Sequence, residues 1–468
     1  MKVFNTLTRQ KEELKPINEG EFRIYACGPT VYNYIHIGNA RPICVFDVLR
    51  RYLEYKGNRV IFAQNFTDID DKIINRANEE GKTFKEISEK YIEEYKTDAA
   101  GLNVRPATVH PKATENIDEI ISIIETLIEK GYAYEVDGDV YFSTTKFREY
   151  GKLSHQPLED LMNGARINVG ELKKEPMDFA LWKASKPGEP YWDCPWGQGR
   201  PGWHIECSAM SRRYLGTTID IHCGGQDLIF PHHENEIAQS ECSSGVTFSN
   251  YWMHNGFITV DNEKMSKSKG NFFTVRDVAK QFGYEPIRLL MISCQYRSPI
   301  NYSYDSLMQC KSSLQRLHTC RDSLDFALKN AENGASGVIE GINAQFDSFR
   351  ARFCETMDDD LNTADAIGVV FDLVRYINKN VLTSPAYRED VEAAVKVFDE
   401  LTGVLGIVYN EPSSEENGDD AEIDALIAER TEARKAKNWA RADEIRDILN
   451  EKGIVLEDTA QGVKWHRK

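Results

Sequence analysis

The order of apolar patterns along this 468-residue chain predicts an α/β Rossmann-like domain carrying an insertion, followed by an α-helical bundle and a small α+β module at the C-terminal end. Three observations predict it. A β-α-β pattern runs from Phe22 to Ala63. Residues 305–408 place apolar side chains at helical spacing. An acidic stretch, Glu411 to Asp420, then separates that region from a compact tail holding Trp439 and Trp465.

The elements follow in order. Phe22-Arg23-Ile24-Tyr25-Ala26 reads as a first strand, and Cys27-Gly28-Pro29-Thr30 as the turn that ends it. Val45, Phe46, Leu49, Tyr52 and Leu53 recur at helical spacing, and Gly57 stops the helix. Val60-Ile61-Phe62-Ala63 is the second strand. Such a unit implies a parallel sheet with a nucleotide crevice at its carboxyl edge. Residues 71–195 read as the insertion, with helices over 85–100 and 114–130 and a hairpin over 132–143 turned at Asp137-Gly138. The sheet resumes at Thr218 to His222, followed by a Gly224-Gly225 turn and a helix from about His232. The expected organisation is a nucleotide domain over 1–304, with a lysine-loop region at about 256–304. A helical bundle over 305–410, a linker over 411–420 and a module over 421–468 follow.

Composition excludes several classes. No stretch approaches the length of a membrane span, and the first eighteen residues hold no apolar run, so neither an anchor nor a signal peptide is expected. Ten scattered cysteines without a CxxC pair fit a reducing cytoplasm rather than a disulfide framework. A net charge of −17 argues against general nucleic-acid affinity. In the tail, ten Lys/Arg balance ten Asp/Glu, so an RNA partner would be met by patches.

Two short segments carry the chemistry. His36-Ile37-Gly38-Asn39 sits where a strand gives way to a helix, where backbone N–H groups and the helix dipole favour phosphate. Gly38 lets the backbone approach a ligand, and His36 can donate to a phosphate oxygen as charge develops. Lys264-Met265-Ser266-Lys267-Ser268-Lys269 gathers three lysines on a pliable loop in an acidic protein, suited to clamping a pyrophosphate leaving group. Between them lie Cys27, Cys207, His232 and Glu236. His232 and Glu236 are four apart and share a face if helical, whereas His233 points away and is the poorer partner for Glu236. Two thiols, an imidazole and a carboxylate are a plausible zinc set, although spacing alone leaves open that they are buried structural residues.

The tetrad and the lysine loop resemble the two signature elements of class I aminoacyl-tRNA synthetases. Three further blocks narrow the likeness: Tyr25 to Tyr32, Trp203-His204-Ile205-Glu206-Cys207-Ser208-Ala209-Met210, and Phe230-Pro231-His232-His233-Glu234-Asn235-Glu236. With Asp358-Asp359-Asp360-Leu361-Asn362-Thr363 and Trp439-Ala440, they resemble the cysteinyl-tRNA synthetase family nearly from end to end. The first signature often ends in a second histidine, where this chain has Asn39; its amide can still donate a hydrogen bond but cannot become cationic.

The resemblance implies ATP-dependent activation of L-cysteine and its transfer to tRNA(Cys). It implies one zinc ion per chain, held by Cys27, Cys207, His232 and Glu236, and ATP used with Mg²⁺. His36, Asn39, Lys264 and Lys267 become the expected catalytic residues, with Lys267 the lysine expected to touch ATP directly. Gly38, Gly224 and Asp227 are expected to contact ATP, and Thr67 and Trp203 to line the amino-acid pocket. Asp68, Asp70 and Asp71 read equally as an ATP or Mg²⁺ cluster and as helix caps. The tail is implied to be an anticodon-binding module, with Arg434, Lys437, Trp439 and Trp465 as candidate tRNA contacts. A monomeric, cytoplasmic enzyme is expected. The reason for a metal is selection: cysteine and serine differ by one atom, a hydrophobic pocket separates such pairs poorly, and zinc prefers a thiolate.

Overall fold

A computed structural model describes residues 1–156, 172–261, 263–264, 271–331, 339–383, 386–409, 420–459 and 462–467. Lys267 and the linker residues 411–419 lie outside them. The chain divides into two compact units. One comprises Met1–Lys311, Cys354–Ala366 and Val404–Ile407; the other comprises Ser312–Phe353, Ile367–Gly403 and Val408–Lys468.

The first unit is organised by a parallel sheet of four strands. In spatial order they are Ser249–Asn255, Ile219–Gly225, Glu21–Ala26 and Arg59–Gln64. Ile24 pairs with Ile221 on one side and Phe62 on the other, and every pairing is parallel. Strands with near-continuous apolar residues are what a sheet covered on both faces requires. Ile24, Tyr25, Ile219, Ile221 and Cys223 are indeed fully buried. The strand order reverses between Glu21–Ala26 and Ile219–Gly225, so their carboxyl ends, at Cys27 and Gly225, flank the crevice where such sheets bind ligands.

The helix after the first strand is Ile37–Tyr55. It buries Val45, Phe46, Leu49, Tyr52 and Leu53, whose spacing predicts it, and it is buried on most of its other sides as well, at Ile37, Ala40, Ile43, Cys44 and Val48. Helices Phe84–Gly101 and Ile117–Glu129 follow, close to the expected spans. Thr83 caps the first of them, accepting from the Glu86 amide while Glu86 accepts from the Thr83 amide. The hairpin turn at Asp137-Gly138 has φ of 51° and 87°, the paired left-handed conformation that an Asp-Gly turn permits. The hairpin belongs to a five-stranded antiparallel sheet with Phe179–Ala184, Trp192–Cys194 and Gly197–Pro201. Between these parts, residues 109 and 112 bridge in parallel to Ala63 and Phe66, so the parallel sheet continues into the segment that sequence patterning reads as irregular.

In the second unit, Leu314, Leu317, Phe346, Phe353, Val370, Leu373 and Phe398 form the buried faces of helices. The C-terminal module pairs helices Asp420–Lys435 and Trp439–Glu451 over Ile423, Ile445, Leu449 and Ile454. An antiparallel hairpin, Ile454–Thr459 with Gly462–Arg467, completes it. Among the described residues no helix is long and apolar enough to cross a membrane.

Candidate functional site

The first strand delivers Cys27 to the crevice, and the approach of the chain there is close. The Gly28 amide donates to Asn65 Oδ1 at 2.8 Å. A Cβ on Gly28 would stand 1.7 Å from the Asn65 carbonyl oxygen. Gly28→Ala is therefore expected to force the Cys27 turn away from its neighbour strand and to destabilise the fold by about 2 kcal/mol or more. A urea titration measures this; an unchanged midpoint would contradict the close approach.

Helix Trp203–Leu215 delivers Cys207, and helix Glu234–Ser244 delivers Glu236. His232 precedes that second helix rather than opening it. Residues Ile229–His233 form a wide, irregular turn in which Phe230 is extended, with φ −137° and ψ 133°. The regular helix then begins at Glu234, close to the expected start at about His232. Only Phe230 leaves helical φ/ψ in the turn, so counting from His232 to Glu236 holds and His233 is the poorer partner for Glu236, as expected; what spacing does not show is its approach to Cys27. His232 Nε2 lies 3.0 Å from Glu236 Oε1. His233 Nε2 lies 3.3 Å from Cys27 Sγ and 4.0 Å from Glu236 Oε1.

Cys27, Cys207, His232 and Glu236 converge, each offering one donor atom within 4.8 Å of the others. The Sγ atoms are 3.8 Å apart, Cys207 Sγ is 3.6 Å from His232 Nε2, and Cys27 Sγ is 3.4 Å from Glu236 Oε1. Tetrahedral zinc with ordinary bond lengths needs edges of about 3.8 Å between sulfurs and about 3.5 Å between sulfur and nitrogen or oxygen. The donor set fits that ion in both chemistry and spacing. A second group, Cys27 with His222, His233 and Glu236, meets the same distance criterion.

The electrostatics are those of a site built to hold a cation. Burial opposes ionisation of Glu236, but His222 and His232 outweigh it and hold the carboxyl down at about 2. Burial would lower His232, yet Glu236 and Cys207 raise it to about 10. Burial would raise Cys207; hydrogen bonds from Cys27 and His232 bring it down to about 6. Cys27 is pushed well up, by burial first and then by Cys207 and Glu236. Thus protons rest on Cys27 and His232 when no cation is held, and a cation would displace them.

Four further histidines lie around the donors, and spacing gives no signal for three of them, His204, His222 and His254. His204 Nδ1 meets His232 Nδ1 at 2.8 Å, which turns the Nε2 of His232 towards Cys207. His222 Nε2 lies 2.8 Å from Glu236 Oε2. His233 Nδ1 lies 2.8 Å from His254 Nε2, and His254 Nδ1 2.8 Å from Thr6 Oγ1. Burial, followed by the neighbouring rings, pushes His204 and His233 well down, and burial pushes His254 to about 3, so these three rings are neutral.

The His36 turn stands at the start of the helix that leaves the same strand. The Asn39 Oδ1 accepts from the His36 amide at 3.1 Å, so the end of Asn39 left for a ligand is its NH₂. Residues beyond the lysine loop are stitched to this turn. The Ile37 amide donates to the Phe273 carbonyl at 3.0 Å, the Val275 amide to the Ile35 carbonyl at 2.9 Å, and the Phe272 ring lies edge-on to His36 at 5.4 Å. Lys264 forms a strand with Glu263 and pairs with Thr259.

Of the other expected contacts, Trp203 is 42% exposed and stacks on His232, with ring centroids 4.1 Å apart. Thr67 is buried and donates from Oγ1 to Glu206 Oε2 at 2.9 Å. Gly224 leaves room for the His233 ring, 3.0 Å from where a Cβ would stand, and Asp227 is exposed beyond the strand end. The acidic trio is taken up structurally. Asp70 caps a helix by accepting from Lys72, Asp68 accepts twice from Thr114, and Asp71 pairs with Lys183 and Arg200. In the tail, Trp439 is 59% exposed at a helix start, with Lys437 in the preceding turn at φ 57°. Arg434 closes the preceding helix in its last turn, and Trp465 pairs through its backbone with Leu456; its side chain is outside the described residues.

Residues 13–312 match the family described as tRNA synthetases class I (C) catalytic domain, 352–409 the DALR domain, and 417–465 the cysteinyl-tRNA ligase anticodon binding domain. A cysteine–tRNA ligase of Clostridioides difficile is 57% identical over 468 residues, all of both chains. The chain belongs to the cysteine–tRNA ligase family. Other family members, from Caldicellulosiruptor saccharolyticus and Halalkalibacterium halodurans, are 53% and 55% identical, with the whole of this chain and 100% and 99% of theirs covered. Among solved structures, methionyl-tRNA synthetase of Mycobacterium tuberculosis with methionyl-adenylate aligns with a TM-score of 0.58 over 82% of this chain and 89% of its own, at 15% identity. That likeness carries the fold of a class I synthetase. Family membership thus agrees with the resemblance drawn from the two signatures.

Proposed function

We propose that this chain activates L-cysteine with ATP to cysteinyl adenylate, releasing pyrophosphate, and passes the cysteinyl group to the 3′-terminal adenosine of tRNA(Cys), releasing AMP. The observation that carries the reading is the convergence of Cys27, Cys207, His232 and Glu236 at the end of the strand that leads into the His36 turn. Those four would hold zinc, which when bound supplies a soft Lewis acid that takes a thiolate and gives a hydroxyl no comparable bond.

The chain's own residues do the rest. Trp203, stacked on His232, walls the site where a substrate side chain would enter. The Thr67 hydroxyl proton is committed to Glu206, so its oxygen offers a lone pair to a substrate ammonium. The cysteine carboxylate attacks the α-phosphorus of Mg²⁺-bound ATP in line, and the bond to the pyrophosphate oxygen breaks. His36, the Asn39 amide, Lys264 and Lys267 would donate to phosphate oxygens as charge builds, a contribution of position and field rather than of covalent chemistry. Gly38 and Gly224 would admit the nucleotide's backbone contacts, and Asp227 would accept from ribose hydroxyls. The tRNA would meet Trp439 by base stacking and Arg434, Lys437 and the Trp465 hairpin by charge and stacking. Arg441 is less available, being paired with Glu429 and Glu444 on the surface, and Arg430 is buried. A monomer acting in the cytoplasm is the simplest setting.

Attachment of labelled cysteine to tRNA tests the reading, with serine as competitor. Deleting residues 421–468 is expected to leave cysteine-dependent pyrophosphate exchange intact and to lower charging of tRNA by about 10²-fold, the loss of a few stacked and ionic contacts at about 1–3 kcal/mol each. Unchanged charging would remove the tail's role. Exchange without any charging by the full chain would redirect the activated cysteine to another acceptor, such as an amino sugar.

A further inference from the structure

Glu236 has two carboxylate oxygens, and they face different partners. Oε1 lies 3.0 Å from His232 Nε2 and 3.4 Å from Cys27 Sγ, inside the donor set. Oε2 lies 2.8 Å from His222 Nε2, on the sheet side. His222 stands on the strand Ile219–Gly225 and is fully buried. Its ring lies flat on Trp252, centroids 4.5 Å apart and planes 14° apart, which packs its plane against the indole. Its Nδ1 meets no hydrogen-bond partner among the described residues. A carboxylate can only accept, so the ring proton sits on Nε2 and is directed at Oε2. No role for His222 follows from the signature motifs or from the zinc set.

We propose that His222 is a positioning residue that restrains Glu236 to a single metal-facing oxygen, keeping a place beside the four donors for the sulfur of the substrate. The proposal rests on the zinc reading above. A carboxylate free of His222 can turn both oxygens towards a cation and fill the position that a thiol-selecting site must keep open. The same restraint separates the two donor groups that share Cys27 and Glu236. With Nε2 protonated and spent on Oε2, His222 has no lone pair there for a metal, which leaves Cys207 and His232 to complete the set.

The test uses the full chain loaded with Co²⁺ in place of zinc. In the unaltered protein, one cobalt per chain with the strong visible bands of a four-coordinate ion is expected, and cysteine shifts them. His222→Phe keeps the flat ring on Trp252 and removes the donor. Its cobalt bands should weaken as the coordination number rises, and its affinity for cysteine should fall about 10- to 100-fold, the range seen when outer-shell partners of metal ligands are removed. His222→Gln, which can still donate, should restore both. If the Phe variant does not fold, His222→Asn, with an amide too short to reach Oε2, makes the same comparison. Identical bands and cysteine affinity in a folded variant would overturn the role of His222 alone. Failure of the unaltered chain to bind one metal would overturn the zinc reading, and this inference with it.

Discussion

Replacing Cys207 with serine should weaken cysteine binding by about a hundredfold or more while ATP binding changes little. The loss exceeds that of an outer-shell partner because a donor itself is removed. Cys207 is buried within 3.8 Å of Cys27 Sγ and 3.6 Å of His232 Nε2, and it is the thiol of the pair that ionises readily, at about 6. A serine hydroxyl in its place holds its proton and gives a poor ligand to a soft metal. The side chains differ by one atom, so the packing of Met210, Leu215 and Ile219 around it is kept. Calorimetric titration with cysteine and, separately, with a non-hydrolysable ATP analogue measures the split. Equal loss of both ligands would mean that Cys207 supports the fold of the whole crevice rather than the thiol site.

The second large effect is expected at His36. His36→Ala should lower kcat for cysteine-dependent pyrophosphate exchange by about 10²–10³-fold, as removal of a donor that acts on developing charge does, with KM for ATP changed only slightly. The backbone at this turn has holds besides the imidazole, which itself takes part in the capping box. It is held by the Asn39 side chain and by the Phe273 and Ile35 carbonyls, so the helix start should survive the change. Asn39→Ala differs in this respect: it removes both the capping oxygen and the free NH₂ and should lower kcat and thermal stability together. Single-turnover kinetics separates the cases. A rise in KM at constant kcat for His36→Ala would place the ring in ground-state binding only.

Much of this was legible in the residues. The β-α-β pattern from Phe22 to Ala63, the Asp137-Gly138 hairpin and the apolar faces of 314–398 are local signals, and local signals survive folding. The convergence of Cys27 with Cys207 is not local. It is created by the parallel pairing of Ile24 with Ile221 and by the seating of helix Trp203–Leu215 on Tyr25 and Ala63, which no spacing announces. The histidines at 204, 222 and 254 were silent for the same reason. Single polar residues on buried strands and helix starts look alike until the sheet order is known. Helical counting places His232 nearer Glu236 than His233, as the distances of 3.0 and 4.0 Å bear out, but it cannot show that His233 meets Cys27 at the end of another strand. Asp68, Asp70 and Asp71, which read equally as an ATP or Mg²⁺ cluster and as helix caps, are spent in the fold on a threonine, a helix cap and two cations respectively.

The central claim is that the four converging donors hold a metal that selects cysteine. The most direct measurement is charging of tRNA with cysteine against serine, made on the metal-loaded chain, after chelation, and after return of one equivalent of zinc. The account predicts one zinc per chain, cysteine attached and serine ignored, charging lost with the metal and recovered with it. Full cysteine charging by metal-free protein, with serine still refused, would contradict it.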